Sequence, residues 1–363
     1  MSVKTSEITY GAWTVSATNP NPFQYRDSRP TFIEVETLEA NRLIQLLKSH
    51  WNTIPTAQIL EINRPTAYSR NYRFEVNGSA FFLRESSLIT AQAKHALDAF
   101  RSFLSERGLP GPNPILTKAG LRFLEDGLTL FSLTREIVGT HYDGRLECLR
   151  EAGKMLARFH LEAIQFPDVH TIQRTQGAVY DWHLGQWTEI GNRVRHGKSD
   201  FDRECRLLLD LVEHLGRFYS EPLLPLPIQV GHFDWNPHNL IFDPLGFEVR
   251  AILDFDLVRE SQRARDVAIG IHRFCRVFGN RTERGLKDKG TLAERAQEFL
   301  QAYESVSPLL SEELGAMKTL LFHETRRKIE YILAKHYLNG DTSSDFDLEK
   351  QATLMLELEL LGL

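Results

Sequence analysis

Residues 230–242 read Val230-Gly231-His232-Phe233-Asp234-Trp235-Asn236-Pro237-His238-Asn239-Leu240-Ile241-Phe242, and after Asp243 to Arg250 the chain continues Ala251-Ile252-Leu253-Asp254-Phe255-Asp256. Two apolar runs of strand length bracket a turn-rich connection, Asp243-Pro244-Leu245-Gly246, which predicts that Leu240-Ile241-Phe242 pairs antiparallel with Ala251-Ile252-Leu253. Asn239 and Asp254 then face each other at the open end of the ribbon. An amide oxygen and a carboxylate so placed are hard oxygen donors of the kind Mg²⁺ takes together with phosphate oxygens and water. Asp234 stands in the preceding loop, where a carboxylate can accept and orient the hydroxyl of an attacking substrate. Together these are the parts of a phosphoryl-transfer site.

A second ribbon lies upstream. Tyr72, Phe74 and Val76 alternate with polar neighbours, Asn77-Gly78 is the dipeptide that favours a type I′ turn, and Ser79-Ala80-Phe81-Phe82-Leu83-Arg84 returns as a strand. A two-residue turn pairs Val76 with Ser79 and Phe74 with Phe81, and so sets Arg84 opposite Asn71, next to the loop from Arg64 to Arg70. Helices flank this ribbon. Leu43, Leu46 and Leu47 repeat at helical spacing before Asn52 and Pro55, and Ala93, Leu97, Phe100 and Leu104 repeat before Gly108 and Pro110. Leu121 to Leu133 predicts further strand and Glu136-Ile137-Val138-Gly139 a crossover. Beyond it the stripe Leu149, Ala152, Leu156, Phe159, Ala163 and the segment Leu207 to Leu215 predict helices packed on one face. The polar stretch from Met1 to Pro30, with Asn19-Pro20-Asn21-Pro22, keeps no regular period and predicts an arm. The expected division is an arm at 1–30, a sheet-rich lobe at 31–135 and a larger helical lobe at 136–363.

With 43 Lys and Arg against 48 Asp and Glu, the 363 residues carry a net charge of −5, which gives no electrostatic reason to expect nucleic acid or an anionic membrane as partner. Three separated cysteines, Cys148, Cys205 and Cys275, suggest neither a disulfide framework nor a structural zinc site and fit a reducing cytoplasm. No apolar run reaches the roughly 18 residues of a membrane span. Oligomeric state is not written in the pattern.

His232-Phe233-Asp234 with Asn239 five residues beyond the aspartate, followed by Leu253-Asp254-Phe255, resembles the H-x-D-x-x-x-x-N and Asp-Phe elements of protein-kinase-like enzymes. More narrowly, the stretch from Leu38 to Phe274 is similar to the aminoglycoside phosphotransferase and choline kinase family, and within it to the homoserine-kinase-like branch. The resemblance implies a two-lobed α+β protein-kinase-like fold with a small antiparallel-sheet lobe and a larger, mainly helical lobe. It implies Asp234 as catalytic base, Asn239 and Asp254 as Mg²⁺ ligands, His232 as a scaffold of the catalytic loop, and Asp266, in Arg265-Asp266-Val267-Ala268, as the aspartate that braces that loop. Ala67-Tyr68-Ser69-Arg70-Asn71-Tyr72-Arg73 resembles the family's phosphate-covering loop, so Ser69 and Asn71 join Arg84 as candidate nucleotide contacts; Arg84 stands where a lysine is common. Three departures accompany this. Phe233 replaces the usual glycine, no glycine lies between Arg64 and Asn71, and the helix from Ala93 to Leu104 has no glutamate for Arg84, leaving Asp98 as the nearest acid.

The implied activity is transfer of the γ-phosphoryl group of ATP, with Mg²⁺, to a hydroxyl of a small molecule: an amino alcohol, a homoserine-like compound, an aminoglycoside or a sugar. Adenine is expected against the crossover at Leu133 to Val138. A protein Ser/Thr kinase of the same superfamily and a nucleotide-binding pseudokinase without turnover are the alternatives. His232 and His238 with an acid make a poor zinc site, because the ribbon sets an amide beside them instead of a third histidine. Asp256 reads as a second metal contact or as a hydrogen-bonded loop carboxylate. Trp182, His183, Trp187 and Glu189 suit either an alcohol or amine pocket or plain interhelical packing.

Overall fold

The computed structural model describes residues 7–10, 13–16, 31–62, 69–175, 186–219, 226–275, 292–358 and 361. Near the N-terminus, β1 (Glu7–Tyr10) and β2 (Trp13–Ser16) pair antiparallel, with Glu7 opposite Ser16. The stretch read as an arm therefore contains a hairpin, whose short strands are below the length at which alternation can be recognised.

Seven strands form the sheet of the small lobe: β3 (Phe32–Glu34), β4 (Leu60–Ile62), β5 (Ser69–Val76), β6 (Ser79–Ser86), β7 (Pro114–Ile115), β8 (Leu124–Asp126) and β9 (Thr129–Arg135). They run in the order β3-β4-β5-β6-β9-β7, with β8 also paired to β9. The β5–β6 turn falls where Asn77-Gly78 predicts it, both residues at positive φ, and the register is Val76 to Ser79, Phe74 to Phe81 and Asn71 to Arg84. Tyr72, Phe74, Phe81 and Leu83 point inward against Leu43, Leu47 and Trp51 of α1 (Thr37–Trp51), which ends at the left-handed residue Asn52.

The helix α2 (Ala91–Glu106) is capped by Thr90, whose hydroxyl accepts the Ala93 N–H, and ends where Gly108 turns left-handed. Its apolar face does not join the small lobe's core. Leu97, Phe100 and Leu104 belong to the core of the large lobe, so α2 sits at the seam between the two. The β3–β9 sheet and the large lobe are thus joined by a helix that follows one in sequence and packs on the other.

In the large lobe, α3 (Leu146–Ala163) buries the predicted stripe Leu149, Ala152, Leu156, Phe159 and Ala163. It packs with α4 (Val169–Thr175), α5 (Trp187–His196) and α6 (Asp200–Gly216) around the same core. Two short antiparallel ribbons carry the loops of interest. One joins β10 (Ile228–Gly231) to β13 (Arg259–Gln262), the other β11 (Leu240–Phe242) to β12 (Val249–Ile252). α7 (Arg263–Phe274), α8 (Leu292–Glu304), α9 (Ser311–Gly315), α10 (Met317–Asn339) and α11 (Leu348–Glu357) complete the lobe, and β2 lies against α11. Among the described residues no helix is long and apolar enough to cross a membrane. The architecture is α+β, a small antiparallel sheet joined to a larger helical part.

Candidate active site

The loop after β10 is fixed by one buried carboxylate. Asp266, in the first turn of α7, accepts the backbone N–H of His232 at 2.6 Å and that of Phe233 at 2.8 Å. Gly231 permits this approach, since a Cβ there would lie 2.8 Å from Asp266 Oδ2. The same oxygen is 3.1 Å from His160 Nε2, and His160 Nδ1 is 2.7 Å from the Tyr303 hydroxyl. A chain of buried polar groups from α8 through α3 to α7 thus ends on the loop. His232 turns inward. Its Nδ1 accepts the Asp234 N–H at 3.3 Å while Nε2 lies 3.0 Å from the Leu253 carbonyl, the pattern of an Nε2–H tautomer. The ring ties the loop to the end of β12.

Phe233 adopts φ +56°, the left-handed region that glycine enters without cost. The residue is buried, and the Arg259 guanidinium lies over its ring, 4.6 Å from the centroid. Apolar burial and cation–π contact offset a backbone strain of about 1–2 kcal/mol. The departure at this position therefore keeps the loop's shape by a different means.

Asp234 is partly exposed at the tip. The side-chain amide of Asn236 donates to its Oδ1 at 2.9 Å and that of Asn239 to its Oδ2 at 2.7 Å, so both oxygens are held in place. Burial raises the Asp234 carboxyl above its ordinary range, with the neighbouring Asp254 charge in the same direction; Arg273, His232 and the Asn236 hydrogen bond oppose them.

The β11–β12 register differs from the expected one by a residue. Leu240 pairs with Ile252 and Ile241 with Ala251, a bulge sets Phe242 against Val249, and Leu253 N–H donates to the Asn239 carbonyl. Asn239 is therefore opposite Leu253, not Asp254. Asp254 is one position further on, at φ +54°, at the start of the 3₁₀ turn Phe255–Leu257.

Arg84 reaches across from β6. Its Nη2 is 2.5 Å from Asp256 Oδ2 and 3.0 Å from Asp254 Oδ1. Burial works to raise the Asp254 carboxyl, but Arg84 overcomes it and holds Asp254 below the usual carboxylate range; burial and the Asp254 charge leave Asp256 above it. Asp98 does not meet Arg84. It is buried on α2, where it pairs with Lys94 at 2.8 Å and Arg101 at 3.5 Å, a correction to its reading as the acid nearest Arg84. Asn71 pairs with Arg84 across β5 and β6, and Ser69 with Ser86. The residues 63–68, including Ala67 and Tyr68, lie outside the described residues. Of the crossover, Leu133 is fully buried in the sheet's core and Val138 is exposed.

The donor chemistry suits a hard divalent cation. Asn239 spends its NH₂ group on Asp234, which leaves its amide oxygen to coordinate, and Asp254 brings a carboxylate whose Oδ1 is shared with Arg84 Nη2 at 3.0 Å. No group of three His, Cys, Asp or Glu side chains able to hold a metal occurs among the described residues. Trp187 lies beneath the Arg326 guanidinium, 5.1 Å from it, and Glu189 pairs with Arg193 on the exposed face of α5. These are interhelical and surface contacts. Trp182 and His183 lie outside the described residues.

Sequence reading missed Asn236, His160, Tyr303 and Arg273. Asn236 had a local signal, an amide two residues after the aspartate it holds. His160 had only its polarity beside an apolar stripe, and its partners are distant in the chain.

A family model described as "Phosphotransferase enzyme family" matches residues 61–312. The chain is similar to a homoserine kinase of Methylobacillus flagellatus, 24% identical over 242 residues that make up 64% of this chain and 68% of that one. It is similar also to a homoserine kinase of Rhizobium rhizogenes, 30% identical over 171 residues, 47% of each. The chain thus spans about half to two thirds of the length of these relatives. In fold it is similar to a spectinomycin phosphotransferase solved with ADP and spectinomycin, TM-score 0.64 and 16% identity over 90% of this chain and 98% of that one. A microcompartment-associated aminopropanol kinase matches with TM-score 0.59 and 15% identity over 88% and 96%.

Proposed function

Since the chain belongs to the phosphotransferase enzyme family, we propose that it transfers the γ-phosphoryl group of ATP to a hydroxyl of a small molecule, with Asp234 as the base. The observation that carries this reading is the posture of Asp234: two side-chain amides fix both carboxylate oxygens at the partly exposed tip of a loop whose backbone is clamped from below by Asp266. A base so held spends no free energy on reorientation when the acceptor arrives.

In the reaction the acceptor oxygen forms a bond to the γ-phosphorus as the bond from that phosphorus to the β–γ bridging oxygen breaks. ADP departs, and the hydroxyl proton passes to Asp234. Arg84 is the cation nearest the site on the small lobe and would grip phosphate oxygens, with the β5 residues Ser69 and Asn71 beside it. Asn239 and Asp254 would hold Mg²⁺, whose chemistry is to neutralise charge on the β and γ oxygens. His232, Phe233 and Asp266 set the loop's shape and touch no reacting atom.

The relatives named homoserine kinase and the neighbours that act on spectinomycin and aminopropanol favour a small hydroxylated acceptor over a protein. The test is coupled measurement of ADP release with homoserine, amino alcohols, sugars and aminoglycosides, with Asp234→Asn as control. Acceptor-dependent release by the natural chain and its loss in the variant are expected. Equal release by both, with every acceptor, overturns the role given to Asp234; nucleotide binding without release by either favours a pseudokinase.

A further inference from the structure

One face of α7 runs along the catalytic loop. Asp266 takes the N–H groups of His232 and Phe233; at Gly270, one turn on, a Cβ would come within 3.4 Å of Trp235 Cδ1. Arg273 follows at the helical spacings of 3 from Gly270 and 7 from Asp266, and so ends the same face. Its charge acts on the Asp234 carboxylate. The side chain is partly exposed, and among the described residues nothing forms a hydrogen bond or ion pair with it.

The other arginines nearby are engaged. Arg84 is held by Asp254 and Asp256, Arg259 lies over Phe233, and Arg327 pairs with Glu324. Arg259 also lies in the field of Arg265 and Arg327, opposed by Glu324 and Asp266. A polycationic acceptor would bring its ammonium groups against the Arg273 guanidinium. An acceptor bearing a carboxylate would find at Arg273 a planar, five-donor partner that no hydrogen bond or ion pair engages among the described residues.

We propose that Arg273 binds a carboxylate of the phosphoryl acceptor while Asp234 takes its hydroxyl, so that the enzyme selects short hydroxy acids over amino alcohols and aminoglycosides. The inference rests on the reading of Asp234 as base. It makes Arg273 a specificity-determining residue.

Three compounds of matched length separate the contributions. Homoserine carries hydroxyl, amine and carboxylate; 3-aminopropan-1-ol lacks the carboxylate; 4-hydroxybutanoate lacks the amine. Steady-state ADP release by the full chain is expected to fall at least about thirtyfold in kcat/KM when the carboxylate is removed, the scale of losing one desolvated charge partner. Arg273→Ala is expected to raise KM for the two carboxylates by a similar factor, with KM for ATP unchanged, and Arg273→Lys to recover part of the loss. A KM for homoserine that Arg273→Ala leaves unchanged overturns the proposal, as does preference for 3-aminopropan-1-ol or kanamycin; either result leaves phosphoryl transfer standing. No acceptor-dependent ADP release with any compound overturns the Asp234 reading, and this proposal with it.

Discussion

Arg84 and Asp256 are 172 residues apart in the chain and 2.5 Å apart in the structure, joining β6 of the small lobe to the turn after β12 in the large one. The same guanidinium nitrogen is 3.0 Å from Asp254, so one cation neutralises two carboxylates that would otherwise repel. Removing the cation should cost more than removing one acid. Arg84→Met is expected to destabilise by about 2–3 kcal/mol, below the usual figure for a broken buried pair because the side chains retain some solvent contact, and Asp256→Asn by about 1–2 kcal/mol. Urea unfolding measures both; an Asp256→Asn loss equal to or larger than that of Arg84→Met contradicts the shared-cation arrangement.

Asp234→Asn keeps the size of the side chain and loses its ability to take a proton. ADP release with the natural acceptor should fall by about 10²- to 10⁴-fold, the range for loss of a positioned base, while ATP affinity stays within about a factor of 3. Initial rates and nucleotide titration on the same preparation check both parts. A drop in affinity of the same size as the drop in rate would place Asp234 on the nucleotide instead.

How much of this was legible in sequence depends on what determined each feature. The β5–β6 hairpin was legible to the residue because Asn77-Gly78 admits one turn geometry and the alternation of Tyr72, Phe74 and Val76 admits one face. The β11–β12 ribbon was legible as a ribbon and not in register. Its connection has no dipeptide that dictates a turn length, and a bulge at Phe242 shifts every residue that follows. Of the candidate acids and amide chosen by spacing, Asp234 and Asn239 lie within hydrogen-bond distance, 2.7 Å, and Asp254 lies against Arg84. The partner of Arg84 was not legible, since Asp98 lies nearer in sequence and only packing at the seam hands it to Lys94 and Arg101.

Phe233 inverts the usual order of truncation. At φ +56° alanine keeps the backbone strain and loses the ring, whereas glycine loses the ring and the strain together. Phe→Ala at a buried site costs about 3–5 kcal/mol, and relief of left-handed strain returns about 1–2 kcal/mol of it to the glycine variant. Phe233→Gly should therefore unfold at higher urea than Phe233→Ala. The reverse order would mean that the left-handed backbone at this position carries no strain.

Glu330 on α10 gives the fold a pH dependence of definite sign. The residue is 5% exposed and its Oε1 has no hydrogen-bond partner among the described residues; burial pushes its carboxyl from 4.5 up to about 7, with Arg326 opposing. A carboxyl that holds its proton more tightly when folded favours the fold while protonated. Below pH 4.5 both folded and unfolded chains carry the proton. Between 4.5 and about 7 the unfolded chain releases it first, so stability falls as pH rises, and above about 7 the full penalty remains. Glu330→Gln removes the titration without changing the shape of the side chain. Its stability relative to the natural protein should rise by about 1–3 kcal/mol between pH 4.5 and pH 8. Urea unfolding of the pair across that range reads the difference directly, and a difference that stays flat or falls with pH would mean that water reaches the Glu330 carboxylate in the folded chain.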